Sequence, residues 1–460
     1  MRVGVVGAGT MGAGIAQLAC AAGMETRLHD PVPEALERGA ASLRAGLVKM
    51  SEKGKLDDPD TAAALLETVP ELAGLAGCDL VIEAAPELPD LKRDLFAELS
   101  RICGPETVLA TNTSSIPVTS IAGAAERPEN VVGMHFFNPP PLMRLLEVIG
   151  AEQTGDRALG VAREVGEAMG KRVIVAADGP GFLVNRCMRP FGAEALRLVQ
   201  ERVTTPEQVD RIYRLGGGFR MGPFELMDLV GIDVGYAVAQ SFDELSFGEP
   251  RWKPSPLQAR MVAAGRLGRK SGRGWYDYGG GPHRPEDPPA PEGTGADFEA
   301  EAAAAGLVRC VEHTLASLAD PALVGFHLLP GAALVELTRG PAAPAATVEA
   351  AEALAAAAGL HHEWVGDAPG LVLGRIAACL VNEAAFAIGE GVGSAEDVDA
   401  GLELGLNYPR GPVRWGEEIG LARVLATIDG LWAERREERY RAAPLLRRAV
   451  ALETSLAEAA

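Results

Sequence analysis

With 460 residues the chain is too long for one ordinary hydrophobic core, and 47% hydrophobic with 23% charged residues is normal for a globular protein. Lysine and arginine number 43 against 63 aspartates and glutamates, a formal net charge of −20; this excludes an extended nucleic-acid-binding face and means that an anionic ligand must meet a local basic patch. No uncharged apolar run reaches about 18 residues, which excludes a membrane-spanning helix.

Residues 1–178 alternate short β-rich runs with helical stretches, the signature of βαβ units and a largely parallel sheet. The runs are Arg2–Val6, Glu25–His29, Asp79–Ala84, Thr107–Asn112, Val131–Phe137, Leu145–Ile149 and Arg172–Ala176. No basic n-region or apolar h-region precedes Arg2–Val6, so no signal peptide is expected. The first run leads into Gly7-Ala8-Gly9-Thr10-Met11-Gly12, a G-x-G-x-x-G turn that opens a helix. Gly7 permits the tight turn, Gly9 lets the backbone approach a pyrophosphate, and Gly12 lets helix and strand pack closely. The helix N-terminus, with Thr10 and Met11, offers free N–H donors to the phosphates. Asp30 ends the second run, placed to accept hydrogen bonds from ribose hydroxyls and to repel a 2′-phosphate; NAD is therefore expected over NADP. Arg27 lies nearby but points elsewhere if strand alternation holds.

From Glu34 to Lys55, five basic residues (Arg38, Arg44, Lys49, Lys53, Lys55) face three acids, which reads either as a patch for phosphate charge or as a solvated helix face. Glu87 with Lys92 reads as a surface ion pair by spacing alone. The cluster Thr111-Asn112-Thr113-Ser114-Ser115 at a strand end is either a turn or the lining of a nicotinamide pocket. His135 closes an apolar run before Asn138-Pro139-Pro140-Pro141, where the chain must turn, and Glu147 lies on the next run. Such a reversal brings residues 12 apart face to face. The pair then reads either as a structural histidine with a neighbour, or as a base whose tautomer a carboxylate fixes.

Residues 179–278 are mostly helical by periodicity, residues 279–297 are a Gly/Pro-rich linker, and helical patterns resume at Phe298. Gly181 to about Gly231 matches Gly370 to about Gly420 at a constant offset of 189, which pairs Arg186 with Arg375, Glu194 with Glu383, Asp210 with Asp399 and Gly222-Pro223 with Gly411-Pro412. Weaker echoes of His135 and Glu147 stand at His327 and Glu336, nine residues apart, and Gly374 stands where Asn185 does; no second active site is expected. Cys20, Cys78, Cys103, Cys187, Cys310 and Cys379 form no C-x-x-C pair and read as reduced thiols of a cytoplasmic protein with no metal site.

The first 278 residues closely resemble the L-3-hydroxyacyl-CoA dehydrogenases, including the 3-hydroxybutyryl-CoA enzymes, through GAGTMGAGIA, VIEAAPE, TNTSSI, GMHFFNPPPLMRLLEVI, DGPGFLVNR, GGFRMGPFELMDLVGID and GRKSGRGWYDY in that order. The resemblance implies NAD-dependent oxidation of L-3-hydroxyacyl-CoA to the 3-oxo thioester, with His135 as base and Glu147 as its partner. It further implies that Ser114 and Asn185 hydrogen-bond the substrate, that Glu87, Lys92, Ser114, Asn138 and Lys270 contact the cofactor, and that Ser42 and Lys49 contact coenzyme A. The expected architecture is an α/β Rossmann-type domain (1–178) followed by two related all-α domains (179–278 and 368–460), with a degenerate connecting segment at 298–367. The two helical modules are expected to pair as an internal pseudo-dimer, with homo-oligomers possible and no membrane or nucleic-acid partner. Competing readings are a 3-hydroxyadipyl-CoA dehydrogenase of phenylacetate breakdown, a dehydrogenase of a free sugar acid, and a non-catalytic NAD-binding structural protein.

Overall fold

The computed structural model describes residues 1–460, which fall into two compact units: residues 1–184 with 391–407, and residues 185–390 with 408–460. The first unit is built on an eight-stranded sheet. In chain order its strands are β1 (Arg2–Val6), β2 (Glu25–His29), β3 (Leu66–Val69), β4 (Leu80–Glu83), β5 (Val108–Thr111), β6 (Val131–Phe136), β7 (Leu145–Gly150) and β8 (Arg172–Ala177), and in space they lie β3-β2-β1-β4-β5-β6-β7-β8. All neighbours are parallel except β6 and β7. Strands β4, β5 and β6 are buried at every position, as expected where helices cover both faces of a parallel sheet. The order reverses between β1 and β4, which places a ligand crevice at the carboxyl ends of these strands. Strand β3 escapes the sequence pattern because it is a four-residue edge strand, Leu-Glu-Thr-Val, with one buried residue.

The helix Thr10–Ala21 is buried from Gly12 to Cys20 between the sheet and the helix Pro33–Glu52. Small residues make this possible: a Cβ on Gly12 would stand 1.7 Å from the carbonyl oxygen of Gly7. A distant segment completes the unit. The helix Ala395–Leu406 packs on β7 and β8, Arg172 pairs with Glu396 at 2.6 Å, and the Ala177 amide donates to the Val392 carbonyl at 2.9 Å.

The second unit is mainly helical but carries a second sheet, formed within residues 298–367, so the region after residue 178 is not all-α. Its strands are β9 (Val308–Arg309), β10 (Val324–His327), β11 (Leu334–Arg339) and β12 (His361–Trp364), in the order β12-β11-β10-β9. Parallel, antiparallel and parallel neighbours follow from β9 to β12, the directions found from β5 to β8. The offset of 189 places β7 on β11, the helix Asp156–Ala168 on Ala345–Ala357, and Pro223–Val230 on Pro412–Ile419, residue for residue. The Gly366 amide donates to the Val203 carbonyl at 2.6 Å, the counterpart of the bond from Ala177 to Val392. What the second sheet lacks is any equivalent of β1 to β4, hence of the glycine turn.

The helices Arg189–Gln200 and Leu373–Gly389 pack together in this unit. The second is continuous where the first is interrupted, because Pro190 has no amide hydrogen for the helical ladder. Between the two, ion pairs are reciprocal: Arg186 meets Glu383 at 2.9 Å, and Arg375 meets Glu194 at 2.9 Å. Arg251 and Arg439 add a second cation to each buried carboxylate. The 279–297 stretch has no helix or strand, yet His283 and Arg284 hold Glu225, and Asp287 holds Arg214.

Candidate active site

The glycine turn after β1 has the geometry its sequence demands. Gly7 has φ +96°, and a Cβ there would stand 2.6 Å from the Ala84 carbonyl oxygen. Nothing lies within 4 Å of the Cβ position of Gly9, so that backbone is open to close approach. Asp30 Oδ2 accepts from the Ala8 amide at 2.8 Å and Oδ1 from the Val32 amide at 2.9 Å, which holds the acid beside the turn. Arg27 turns away, onto Glu67 and the carbonyls of Gly74 and Ala76. A cavity of about 420 Å³ lies over the turn, lined by Gly9, Thr10, Gln17, Arg38, Ser42 and Pro139. Lys49 is exposed two turns beyond Ser42 on the same helix, while Met11 packs against the hydrophobic core.

Beyond β4, Lys92 is a buried cation rather than half of a surface pair. It meets Glu83 at 2.6 Å and Glu87 at 3.2 Å. Glu83, which sequence reasoning did not single out, also accepts from the Thr111 hydroxyl at 2.7 Å; its signal was an acid ending the apolar strand Leu-Val-Ile-Glu. Glu87 in turn accepts from the Thr113 hydroxyl at 2.7 Å and from the amides of Ser114 and Ser115 at 2.9 and 3.0 Å. Burial acts to raise the Glu87 pKa, but the Lys92 ammonium and these donors outweigh it and hold the carboxyl below its usual range. The Thr111–Ser115 segment is thus a fixed shelf at the end of β5. Asn112 Oδ1 ties it to β6 by accepting from the Phe136 amide at 2.8 Å.

His135 and Glu147 are directly opposite in the antiparallel β6–β7 pair, which is why a spacing of 12 suffices. His135 Nδ1 lies 2.6 Å from Glu147 Oε2, so a proton on Nδ1 is shared with the carboxylate and Nε2 is left without a protein partner. The other carboxylate oxygen accepts from the amides of Leu183 and Val184 at 3.2 and 3.0 Å. Phe182, at φ +50°, presents those two amides, and its ring and that of Phe137 flank the imidazole at 5.8 and 4.7 Å. Glu147 is fully buried and His135 nearly so. The arrangement is an oriented imidazole whose positive form a buried carboxylate would stabilise.

Asn138 is exposed just past β6, on a cis peptide to Pro139. Asn185 and Lys270 belong to the second unit. Asn185 is half-buried in the helix Val184–Cys187, next in the chain to the amide that binds Glu147, and Lys270 pairs with Asp233 at 2.6 Å.

The second unit repeats the strand pairing without the site. His327 faces Glu336 across β10 and β11, and Glu336 accepts from the amides of Val372 and Leu373 at 2.7 and 3.0 Å. No bond joins His327 to Glu336; Nδ1 of His327 is buried without a partner. The imidazole stands instead where a side chain at 374 would be: a Cβ on Gly374 would come within 2.3 Å of it. Burial, with help from Arg309 and Arg423, pushes the His327 pKa down to about 3, and burial pushes Glu336 up to about 8. The void beside them, about 10 Å³, is too small for a substrate.

Comparison with known proteins agrees with this geometry. The family model described as 3-hydroxyacyl-CoA dehydrogenase, NAD binding domain, matches residues 2–179, and that described as its C-terminal domain matches 181–278 and again 370–456. The chain is 37% identical over 466 residues to the 3-hydroxyadipyl-CoA dehydrogenase of Escherichia coli, covering 98% of both chains. It is 44% identical over 279 residues to a probable 3-hydroxybutyryl-CoA dehydrogenase of Deinococcus radiodurans, covering 60% of this chain and all of that one. A crystal structure titled 3-hydroxybutyryl-CoA dehydrogenase, from E. coli K12, superposes with a TM-score of 0.90 at 37% identity, covering 98% of each chain.

Proposed function

We propose, since this chain belongs to the 3-hydroxyacyl-CoA dehydrogenase family, that His135 is the base that takes the hydroxyl proton of an L-3-hydroxyacyl-CoA thioester. The chain is an NAD-dependent oxidoreductase. The observation that carries the assignment of the base is the 2.6 Å contact between His135 Nδ1 and Glu147, which leaves Nε2 to receive a proton. NAD, when bound, supplies the hydride acceptor. Its diphosphate fits the open backbone at Gly9 and the helix N-terminus at Thr10 and Met11, with Gly7 and Gly12 shaping the turn. Asp30 takes the ribose hydroxyls, and the shelf of Glu87, Lys92 and Ser114, with Asn138 and Lys270, positions the nicotinamide end.

As the proton arrives at Nε2, the imidazole becomes cationic, and Glu147, held by two amides, stabilises that charge without moving. Ser114 and Asn185 hold the substrate oxygens. Ser42 and Lys49 meet the coenzyme A moiety, which matches the basic character of that helix on an otherwise acidic protein. A purely structural NAD-binding role is disfavoured by the complete His135–Glu147 pair. His135→Gln is expected to lower kcat about 100- to 10,000-fold with 3-hydroxybutyryl-CoA while NADH affinity stays within about twofold. Unchanged turnover would remove His135 from the mechanism.

The two helical modules form an internal pseudo-dimer, the second standing where a twin subunit would. Support comes from the reciprocal pairs Arg186–Glu383 and Arg375–Glu194 at one sequence offset. Six buried cysteines, none of them paired, favour a cytoplasmic setting.

A further inference from the structure

Lys171 is 8% exposed, yet no carboxylate pairs with its ammonium. Its partners are two carbonyl oxygens, that of Pro140 at 2.5 Å and that of Met143 at 2.6 Å. Burial, unrelieved by a counter-charge, pulls its pKa down to about 8. A cation kept in the interior against that penalty needs a reason beyond filling space.

The corner that carries Lys171 does not supply the reason. There the helix Asp156–Ala168 ends on Gly170, at φ +75°. The Gly170 amide donates to the Glu167 carbonyl at 2.9 Å and the Lys171 amide to the Gly166 carbonyl at 3.1 Å, which closes the helix through backbone alone. The second unit repeats this corner 189 residues on: Gly359 has φ +73°, and the Leu360 amide donates to the Ala355 carbonyl at 2.9 Å. Leucine thus suffices in the copy that has no glycine turn. What the first unit has in addition is a longer link between the paired strands, since His135 and Glu147 are 12 residues apart and His327 and Glu336 nine. In that link Pro139, Pro140 and Pro141 have no amide hydrogen, so strand bonds do not hold them. Carbonyls do: Pro139 accepts from the Leu142 and Met143 amides at 3.0 and 3.1 Å, and Pro140 and Met143 accept from Lys171. On its other side the link rests on the helix after the glycine turn, where a Cβ on Gly14 would stand 3.1 Å from Cδ of Pro140 and of Pro141. Pro139 and Pro141 line the 420 Å³ cavity over that turn.

We infer that Lys171 is a positioning residue for the dinucleotide: its ammonium fixes the 138–143 loop as a wall of the cavity over the glycine turn. The inference rests on the reading of that cavity as the place of the dinucleotide. Without the ammonium the loop loses two of its anchors, and binding must then order it. His135 and Glu147 lie on strands held by their own ladder, so the chemical step is insulated from the change.

The experiment measures NADH affinity by fluorescence, and KM for NAD and kcat with 3-hydroxybutyryl-CoA, on the full-length protein. Lys171→Leu, the residue of the second corner, should weaken NADH binding and raise KM for NAD about tenfold, the scale of ordering a loop on binding, while kcat stays within about threefold. Lys171→Met should match it. Lys171→Arg, which keeps donors for both carbonyls, should return the affinity to within about threefold of the wild type. Val165→Ala, a cavity in the core beside the same helix, should lower the urea midpoint and leave NADH affinity within about twofold. Unchanged NADH affinity in Lys171→Leu and Lys171→Met overturns the inference, and so does an equal loss in Val165→Ala, which would assign the effect to stability. Gly9→Val separates the underlying reading: its side chain enters open space, so the fold is kept, but it obstructs the approach of the diphosphate. If Gly9→Val binds NADH as the wild type does, the cavity is not the place of the dinucleotide and both readings fall. If Gly9→Val loses NADH while Lys171→Leu and Lys171→Met keep it, the role of Lys171 alone falls.

Discussion

Two strand pairs in this molecule set a histidine opposite a glutamate, and only one of them builds a site. In β6–β7 the carboxylate bonds the imidazole and two amides at once; in β10–β11 it keeps the two amides and loses the imidazole. The difference coincides with one substitution. Asn185 occupies its position in the first copy, whereas Gly374 leaves room that the ring of His327 fills. The strand pairing and its amide contacts thus persist without the His–Glu bond, because Glu336 still satisfies amides that would otherwise be buried without partners.

The sharpest way to break this comparison is to make the same change in both copies. Glu147→Gln should lower kcat about 1,000- to 10,000-fold, since an amide neither fixes the imidazole tautomer nor offsets its charge. Glu336→Gln should leave kcat within about twofold. Steady-state kinetics of both variants with one substrate decide the matter; a large kinetic loss from Glu336→Gln would mean that the second copy is not silent. Next in size is the network joining the modules. Arg375→Met leaves Glu194 short of a buried partner and should cost about 3–5 kcal/mol in urea unfolding, at a midpoint independent of protein concentration. A midpoint that rises with concentration would show that association between chains, not the internal pair, carries the contact.

The smallest effect is on pH. The folded His327 pKa, about 3, lies below its ordinary 6.5, so its contribution is full above pH 6.5 and is lost as pH falls toward 3. The folded Glu336 pKa, about 8, lies above its ordinary 4.5, so its contribution is full below pH 4.5 and is lost as pH rises to 8. Between pH 4.5 and 6.5 the two slopes oppose each other; from 6.5 to 8 only the loss from Glu336 remains, about 2 kcal/mol at about 1.4 kcal/mol per pH unit. Urea midpoints at pH 6.5 and 8 should converge in Glu336→Gln relative to the wild type. An unchanged difference would mean that Glu336 is ionised in the folded protein throughout.

Much of the first unit is legible in the chain itself. Gly7, Gly9 and Gly12 after an apolar strand admit few conformations, and His135 and Glu147 face each other because a short reversal links two strands. The second sheet is less legible. Strands of two, four, six and four residues are set among alanine-rich helices, where a short apolar run does not reveal its period. Lys92 looks like a surface residue on an amphipathic helix, since its two carboxylate partners come from the end of β4 and the loop beyond. Lys171 looks like one more charged residue at a helix end.

The sequence by itself determined the glycine turn, the acid after β2, the facing of His135 and Glu147 and the doubled helical module, because each depends on local stereochemistry or on a repeat at fixed spacing. Only the tertiary structure decided that Lys92 is buried, that His327 is sealed and that Lys171 has no counter-charge. Burial and charge pairing are properties of what the rest of the chain brings alongside, and no pattern within a single segment carries that information.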